Sequence, residues 1–163
     1  MKVGFFRHGP AVARGTEGMS EAERPLTSEG RKKTLLAARG LRRLKLGFDA
    51  VYTSPLPRAL ETAEIVAGVL KLPAPTVLEA LAPGGSAQRL LAGLRELRSE
   101  SPLLVGHEPQ LSAAVLLAAG AGANGALEMK KAGMALVELD SSSARPKGTL
   151  QLLLTGAALR KLD

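Results

Sequence analysis

Two histidines and two arginines are the residues of this sequence best suited to chemistry on an anionic group. His8 and His107 are the only histidines, and each follows a short apolar run and has a glycine beside it. Arg7 precedes the first histidine, and Arg58 lies in the first turn of a predicted helix. A neutral imidazole can act as a nucleophile, and a guanidinium offers a planar fork to two oxygens of an oxyanion.

These four residues are predicted to meet at one place in the fold. Ligands of open α/β sheets bind beyond the carboxyl ends of the strands, and both histidines follow such ends. Taken singly, each residue also has a structural explanation. A histidine can be an inert, hydrogen-bonded strand end, Arg7 can simply end an apolar strand, and Arg58 can be a solvated helix residue. Their convergence at one sheet edge favours a functional site.

The elements that must position these residues alternate between strands and helices. Strands are expected over residues 2–6, 48–52, 76–78, 102–105, 133–139 and 149–154. Helices are expected from about residue 29 to 46, over 57–70 and 86–98, from 109 to a glycine-rich region at 120–125, and from 156. The pattern predicts an α/β fold, a three-layer α/β/α sandwich with a mainly parallel sheet. A polar turn at 140–148 makes the last two strands an antiparallel pair and implies one antiparallel strand.

Composition narrows the function classes. The 163 residues suit a single domain over 1–163, and the net charge of +7 fits a phosphate-bearing or acidic partner, although a solvated basic surface explains it equally. Aromatic residues make up 2% of the chain, too few for base-stacking platforms. We therefore predict no nucleic-acid partner. No apolar run approaches the ~18 residues of a membrane span, so no membrane association is predicted.

Cysteine and histidine counts restrict the chemistry further. The chain has no cysteine, which excludes disulfides, thiolate catalysis and cysteine-based metal sites. With only two histidines, a zinc site is not expected, and neither a metal nor a cofactor is predicted. The N-terminal apolar run meets Arg7 at once and is shorter than a secretory signal, so a cytoplasmic location is the expectation.

Three motifs in chain order resemble the signature of the histidine phosphatase superfamily, which includes the phosphoglycerate mutases. Residues 7–9 (Arg-His-Gly) resemble its first motif, and residues 54–63 (Ser-Pro-Leu-Pro-Arg-Ala-Leu-Glu-Thr-Ala) resemble the second, in which the arginine contacts phosphate. Residues 106–107 (Gly-His) resemble the third. The short length, with residues 24–27 (Arg-Pro-Leu-Thr) and 81–85 (Leu-Ala-Pro-Gly-Gly), is most similar to the small phosphohistidine phosphatases of the SixA type.

The resemblance implies a phosphoglycerate mutase-like fold and a metal-independent phosphatase. His8 would accept the phosphoryl group as its nucleophile, and Arg7, Gly9, Arg58 and His107 would bind the phosphate oxygens. The two guanidinium groups can neutralise the charge that repels a nucleophile, and fixed donors around the equatorial oxygens stabilise the transition state.

A general acid for an alkyl leaving group is less clearly indicated. By the superfamily pattern it is a carboxylate between the second and third motifs, and Glu79 is the best placed, although an exposed loop carboxylate is the alternative interpretation. Glu17, Glu21 and Glu23 follow the first motif and are weaker candidates, while Glu108 fits a helix start. An imidazole leaving group needs a strong acid less than an alkoxide does.

Three functional hypotheses remain open. The resemblance favours hydrolysis of protein phosphohistidine, and the lack of a long insertion suits an open cleft that admits a protein surface. The same residues could hydrolyse small phosphomonoesters. A non-catalytic phosphate-binding module is the third hypothesis, and the placement of His8 between two arginines argues against it, because binding alone needs no nucleophile.

Overall fold

A mixed sheet flanked by helices positions the predicted site. A computed structural model describes residues 1–121, 126–140 and 147–163. The strands are β1 (Lys2–Arg7), β2 (Ala50–Thr53), β3 (Thr76–Val77), β4 (Pro102–Gly106), β5 (Met134–Leu139) and β6 (Gly148–Leu154). The helices are α1 (Ser28–Arg43), α2 (Pro57–Leu70), α3 (Ala87–Gly93), α4 (Gln110–Ala118) and α5 (Gly156–Arg160). Short 3-10 helices span Glu79–Leu81 and Leu94–Glu96.

The strand order is β3-β2-β4-β1-β5-β6. Strands β3, β2, β4 and β1 are parallel neighbours, whereas β5 runs antiparallel to both β1 and β6. One strand of six therefore opposes the others, which confirms the predicted mainly parallel sheet with one antiparallel strand. Of the predicted polar turn before β6, residues 141–146 lie outside the described part of the chain.

Two hydrophobic clusters cover the two faces of the sheet. Alternation along β1 sends Phe5 into the cluster with α3 and α4, and Phe6 into the cluster with α1, α2 and α5. Strand β4 is buried along its whole length, as its uninterrupted apolar sequence predicts for a central parallel strand. The layers are thus helix, sheet and helix, in agreement with the predicted sandwich.

The helix starts follow local signals, whereas α1 ends at Arg43, before the predicted residue 46. The side chain of Thr27 accepts a hydrogen bond from the Gly30 amide and caps α1, and Pro57 opens α2. Helix α3 ends at Gly93, not near residue 98 as predicted. Glycine has a low helix propensity, and the 3-10 turn that follows it buries Leu94.

The buried face of α1 also differs from the prediction. The spacing of the apolar residues Leu35, Ala38 and Leu41 predicts that they share the buried face. Leu35 is 36% exposed, however, whereas the smaller Ala37 and Ala38 are fully buried. Small residues permit the close approach of α5, where a β-carbon on Gly40 would lie 1.9 Å from the carbonyl oxygen of Leu159. Among the described residues, no helix combines the length and hydropathy needed to cross a membrane.

Candidate active site

The two histidines emerge side by side from the centre of the sheet. Strands β1 and β4 are parallel neighbours in which Arg7 pairs with Gly106, so the residues that follow them are adjacent. The amide of His8 donates to the carbonyl oxygen of Gly106 at 3.1 Å. The ring centroids of His8 and His107 are 5.1 Å apart, and both side chains are buried. This is the juxtaposition predicted from the sequence.

The ring of His8 is held in the form that a nucleophile requires. Its Nδ1 lies 2.7 Å from the carbonyl oxygen of Gly9. A carbonyl can only accept, so Nδ1 carries the proton and Nε2 keeps its lone pair. Burial is the main cause that lowers the pKa of His8 to about 3; the neighbouring His107, Arg58 and Arg7 act in the same direction, and the Gly9 hydrogen bond opposes them. The imidazole is therefore neutral at neutral pH.

His107 is oriented by a serine of the second motif. Its Nε2 shares a hydrogen bond of 2.8 Å with the hydroxyl of Ser54, which also accepts the amide of Leu56. Burial lowers the pKa of His107 to about 4, and the Arg58 guanidinium contributes in the same direction. Both histidines are thus uncharged in the free protein, and the fixed positive charge of the site comes from arginines.

Each of the two predicted arginines is anchored through one edge of its guanidinium. Arg7 donates from Nη1 to the carbonyl oxygen of Met129 at 2.7 Å. Arg58, which is 2% exposed, donates from Nη1 to the carbonyl oxygen of Glu21 at 2.8 Å. In both side chains the buried Nε has no hydrogen-bond partner among the described residues. Buried guanidinium donors normally find acceptors, so both retain donor capacity for an oxyanion.

A carboxylate that sequence reasoning ranked low contacts Arg58 directly. Oε1 of Glu21 lies 3.2 Å from Nη2 of Arg58. Arg24 donates to both carboxylate oxygens of Glu21, from Nη2 at 2.5 Å and from Nε at 2.9 Å. Arg14 adds a contact of 3.4 Å. The hydrogen bond from Arg24 lowers the pKa of Glu21, which keeps it ionised and unsuited to donate a proton. The buried Arg24 belongs to the Arg-Pro-Leu-Thr stretch noted in the sequence.

Gly9 is required by close packing. A β-carbon at this position would lie 2.1 Å from Oγ1 of Thr34. The Gly9 amide donates to Oγ1 of Thr62 at 3.0 Å, and that hydroxyl donates to the carbonyl oxygen of Arg58 at 2.6 Å. Thr62 therefore joins the first motif to the second. In the free protein the Gly9 amide has this partner, so its predicted contact with phosphate stays a prediction.

A second network, which sequence reasoning missed, supports Arg7 from behind. The hydroxyl of Ser112 accepts the amide of Met129 at 3.3 Å and donates to Oε2 of Glu108 in a short hydrogen bond. Met129 in turn offers its carbonyl oxygen to Arg7. The backbone of the buried Met129 therefore forms hydrogen bonds through both its amide and its carbonyl group. Residues 112 and 129 lie 105 and 122 positions from Arg7, and no sequence motif links them.

The comparisons with known proteins identify the family. The model of the histidine phosphatase superfamily (branch 1) matches residues 3–82. The chain is 35% identical over 113 residues to the phosphohistidine phosphatase SixA of Escherichia coli, covering 67% of this chain and 68% of that protein. This chain belongs to the histidine phosphatase superfamily. As a member it is a phosphatase enzyme, which confirms the family predicted from the three motifs.

Two further matches extend over nearly the whole histidine phosphatase chain. An uncharacterized protein of Picosynechococcus sp. is 40% identical over 148 residues, which is 89% of this chain and 88% of that protein. A solved structure of the protein histidine phosphatase SixA complexed with tungstate superimposes with a TM-score of 0.83 at 29% identity, covering 98% and 99% of the two chains. The phosphoglycerate mutase-like fold predicted from the sequence is confirmed by this match.

Glu79 stands apart from the other four predicted catalytic residues. It is exposed and begins the 3-10 helix that follows β3. Strand β3 is three positions from β1 in the sheet, about 14 Å at the usual strand spacing. Gln110 of α4 donates to the Ala80 carbonyl oxygen at 2.6 Å and holds this segment at the same sheet edge. Within the described residues, no side-chain hydrogen bond or ion pair joins Glu79 to the histidines, so its role as general acid stays a prediction.

Proposed function

We propose that this histidine phosphatase hydrolyses phosphohistidine on proteins, without a metal, through a phosphohistidine intermediate at Nε2 of His8. The observation that carries the proposal is the state of His8: it is buried, neutral, fixed with its proton on Nδ1, and neighboured by two arginines with spare donors. Such an imidazole can attack phosphorus without first losing a proton.

The reaction balances in two steps. The lone pair of His8 Nε2 forms a bond to phosphorus, while the bond from phosphorus to the substrate nitrogen breaks and its electron pair stays with the departing imidazole. That imidazole leaves as a neutral ring if its distal nitrogen carries a proton or if the departing nitrogen gains one as the bond breaks. Water then attacks the phosphohistidine, and the release of inorganic phosphate returns His8 to its neutral form with the proton still on Nδ1.

The surrounding residues supply electrostatic stabilisation. Arg7 and Arg58 would bind the equatorial oxygens, where charge is concentrated in the transition state. His107 would add a hydrogen bond from the neighbouring strand end. Donors that are fixed before the substrate arrives need little reorganisation during the reaction, and the Met129, Glu21 and Ser54 contacts hold these three side chains in advance.

The substrate class rests on the relatives and on the leaving group. The SixA of Escherichia coli is a phosphohistidine phosphatase, and the similar SixA structure holds tungstate, a tetrahedral oxyanion like phosphate. The ionised Glu21 is a poor proton donor, and an imidazole leaving group tolerates a weak general acid.

A second candidate is hydrolysis of small phosphomonoesters. The Glu79 carboxylate on the same sheet edge favours it, because an alkoxide leaving group needs a proton.

The test is phosphate release by wild type and His8→Ala in excess EDTA, from p-nitrophenyl phosphate and from a phosphohistidine-carrying protein. Wild type is expected to hydrolyse the phosphohistidine protein and to form an acid-labile, alkali-stable phosphoenzyme, while His8→Ala does neither and keeps its circular dichroism spectrum. Lys45→Gln, at an exposed position two residues after the end of α1, is the control variant. Activity of His8→Ala above about a tenth of wild type contradicts a covalent role.

The two outcomes for substrate are distinguishable. A preference for phosphohistidine over the ester supports the first candidate, and the reverse preference supports the second. Phosphate binding without turnover of either substrate would support the non-catalytic module.

We further propose that residues 1–163 form one catalytic domain, and the cytoplasmic location stays a prediction.

A further inference from the structure

A basic groove opens beside Arg7. Its volume is about 560 Å³, and it lies between α1, the segment before β5, and α5. Among the described residues, its charged lining consists of Arg7, Lys33, Lys130, Lys131 and Arg160, with Glu128 as the single carboxylate. Because Arg7 also belongs to the candidate active site, a molecule in the groove would lie next to the reacting phosphate.

The cations of the groove differ in how far they are already paired. Lys130 contacts Glu128 at 2.7 Å, and Lys33 contacts Glu29 at 3.5 Å. The side chains of Lys131 and Arg160, by contrast, make no hydrogen bond or ion pair with any described residue. Partial desolvation of the Lys131 ammonium lowers its pKa, and the charge of Arg7 acts in the same direction. Uncompensated positive charge is thus concentrated near Arg7, where an anionic partner would stabilise it.

The geometry of the lining favours carboxylates on a protein over a second phosphate. A subsite for one phosphate needs convergent, fixed donors. Here the cations come from four separate parts of the fold around a wide volume, and Lys130 and Lys131 are exposed. Flexible lysines that are spread over a surface can pair with several exposed carboxylates of a partner protein, and such pairing raises the association rate and the specificity of binding.

We propose that this groove docks an acidic surface of the protein that carries the phosphohistidine, next to the modified residue. The inference rests on the proposed function and names the chemistry of its partner. Docking would give a protein substrate an advantage over a small one, since the groove adds contacts that a free phosphohistidine or an ester cannot make. The attraction acts between partly exposed charges, so salt should weaken it.

The experiment compares a charge-removing pair with a matched control. Lys131→Gln/Arg160→Gln removes two charges from the groove. Arg42→Gln/Arg43→Gln removes two from the exposed end of α1, about 13 Å along the helix from Lys33. The substrates are a synthetic peptide with one phosphohistidine flanked by glutamates, its counterpart flanked by serines, and p-nitrophenyl phosphate.

The groove variant is expected to lose about ten-fold in kcat/KM for the glutamate peptide and to keep wild-type values for the serine peptide and the ester. The control variant should match wild type for all three. Raising the salt concentration should remove the preference of wild type for the glutamate peptide. An equal loss on all three substrates, or no loss on any, overturns the docking proposal.

A binding measurement separates this proposal from the proposed function. Fluorescence anisotropy of a labelled, unphosphorylated glutamate peptide reports docking whether or not phosphohistidine is hydrolysed. Weaker binding to the groove variant than to the control supports docking even if neither phosphopeptide is a substrate. Unchanged peptide binding, with weaker inhibition by tripolyphosphate, overturns it in favour of a phosphate subsite.

Discussion

The buried, neutral histidines make a quantitative prediction about stability and pH. Burial is the main cause that lowers the pKa of His8 to about 3 and of His107 to about 4. In the unfolded chain both should titrate near the ordinary value of about 6.5. Between these values the unfolded state binds more protons than the folded state. The stabilisation is therefore fully present above pH 6.5 and is lost progressively as the pH falls toward the folded-state values.

The size of the effect follows from the two pKa values. For His8, with a pKa of about 3 in the folded state and about 6.5 unfolded, proton linkage destabilises the protein by about 2 kcal/mol at pH 5 relative to pH 7.5. The perturbation is His8→Gln, which replaces the imidazole with a polar group that does not titrate. Between pH 7.5 and pH 5 the free energy of unfolding of wild type should fall by about 2 kcal/mol more than that of the variant.

The assay is urea unfolding of both proteins at several pH values from 5 to 7.5, in buffers free of phosphate. The carboxylates are common to both proteins, so their contribution largely cancels in the difference. Lys45→Gln serves as a control that should parallel wild type. Because the chain has only two histidines, proton NMR can follow each ring directly. Parallel wild-type and His8→Gln curves, or a His8 ring that titrates near pH 6.5, would refute the reasoning.

Two substitutions test the anchoring of the arginines. Arg58→Ala should raise KM and lower kcat for p-nitrophenyl phosphate, so that kcat/KM falls more than ten-fold, because the guanidinium would contact phosphate in both the ground and the transition state. Steady-state kinetics measure both constants, and unchanged values would show that Arg58 does not belong to the site. Ser112→Ala leaves the Met129 amide without its hydrogen-bond partner, so the side chain of Arg7 should be held less firmly. We expect KM to rise several-fold with a smaller effect on kcat, and Ser112→Thr to restore substrate binding. An unaltered KM would exclude this positioning role.

Much of the site could be predicted because it depends on strand order. His8 and His107 come together since β1 and β4 are parallel neighbours whose carboxyl ends share one edge. The wholly apolar sequence of β4 indicates a central strand, and centrality is what brings its end next to that of β1. Arg58 was predictable from Pro57, which sets the first turn of α2 at the same edge.

The supporting residues could not be predicted in the same way. Glu21, Ser112 and Met129 act through side chain contacts or backbone groups across long sequence separations, and such contacts leave no periodicity. Glu21 is one of three glutamates in a polar loop, and nothing in the sequence of that loop indicates which of them contacts Arg58. The exposure of Leu35 has a related cause, because the approach of α5 to α1 depends on glycine and alanine positions, not on the largest apolar residues.

The charge arrangement explains how one site can hold a nucleophile and a phosphate together. If burial did not lower its pKa, His8 would be largely protonated below pH 6.5 and could not attack. The same low polarity makes the arginine charges act strongly on a bound dianion. Glu21 balances Arg58 in the free protein from a half-exposed position, so an incoming phosphate can share or replace that contact. A bound dianion also favours the protonated form of His107, which would turn this neutral ring into a charged donor at the time when phosphate is present.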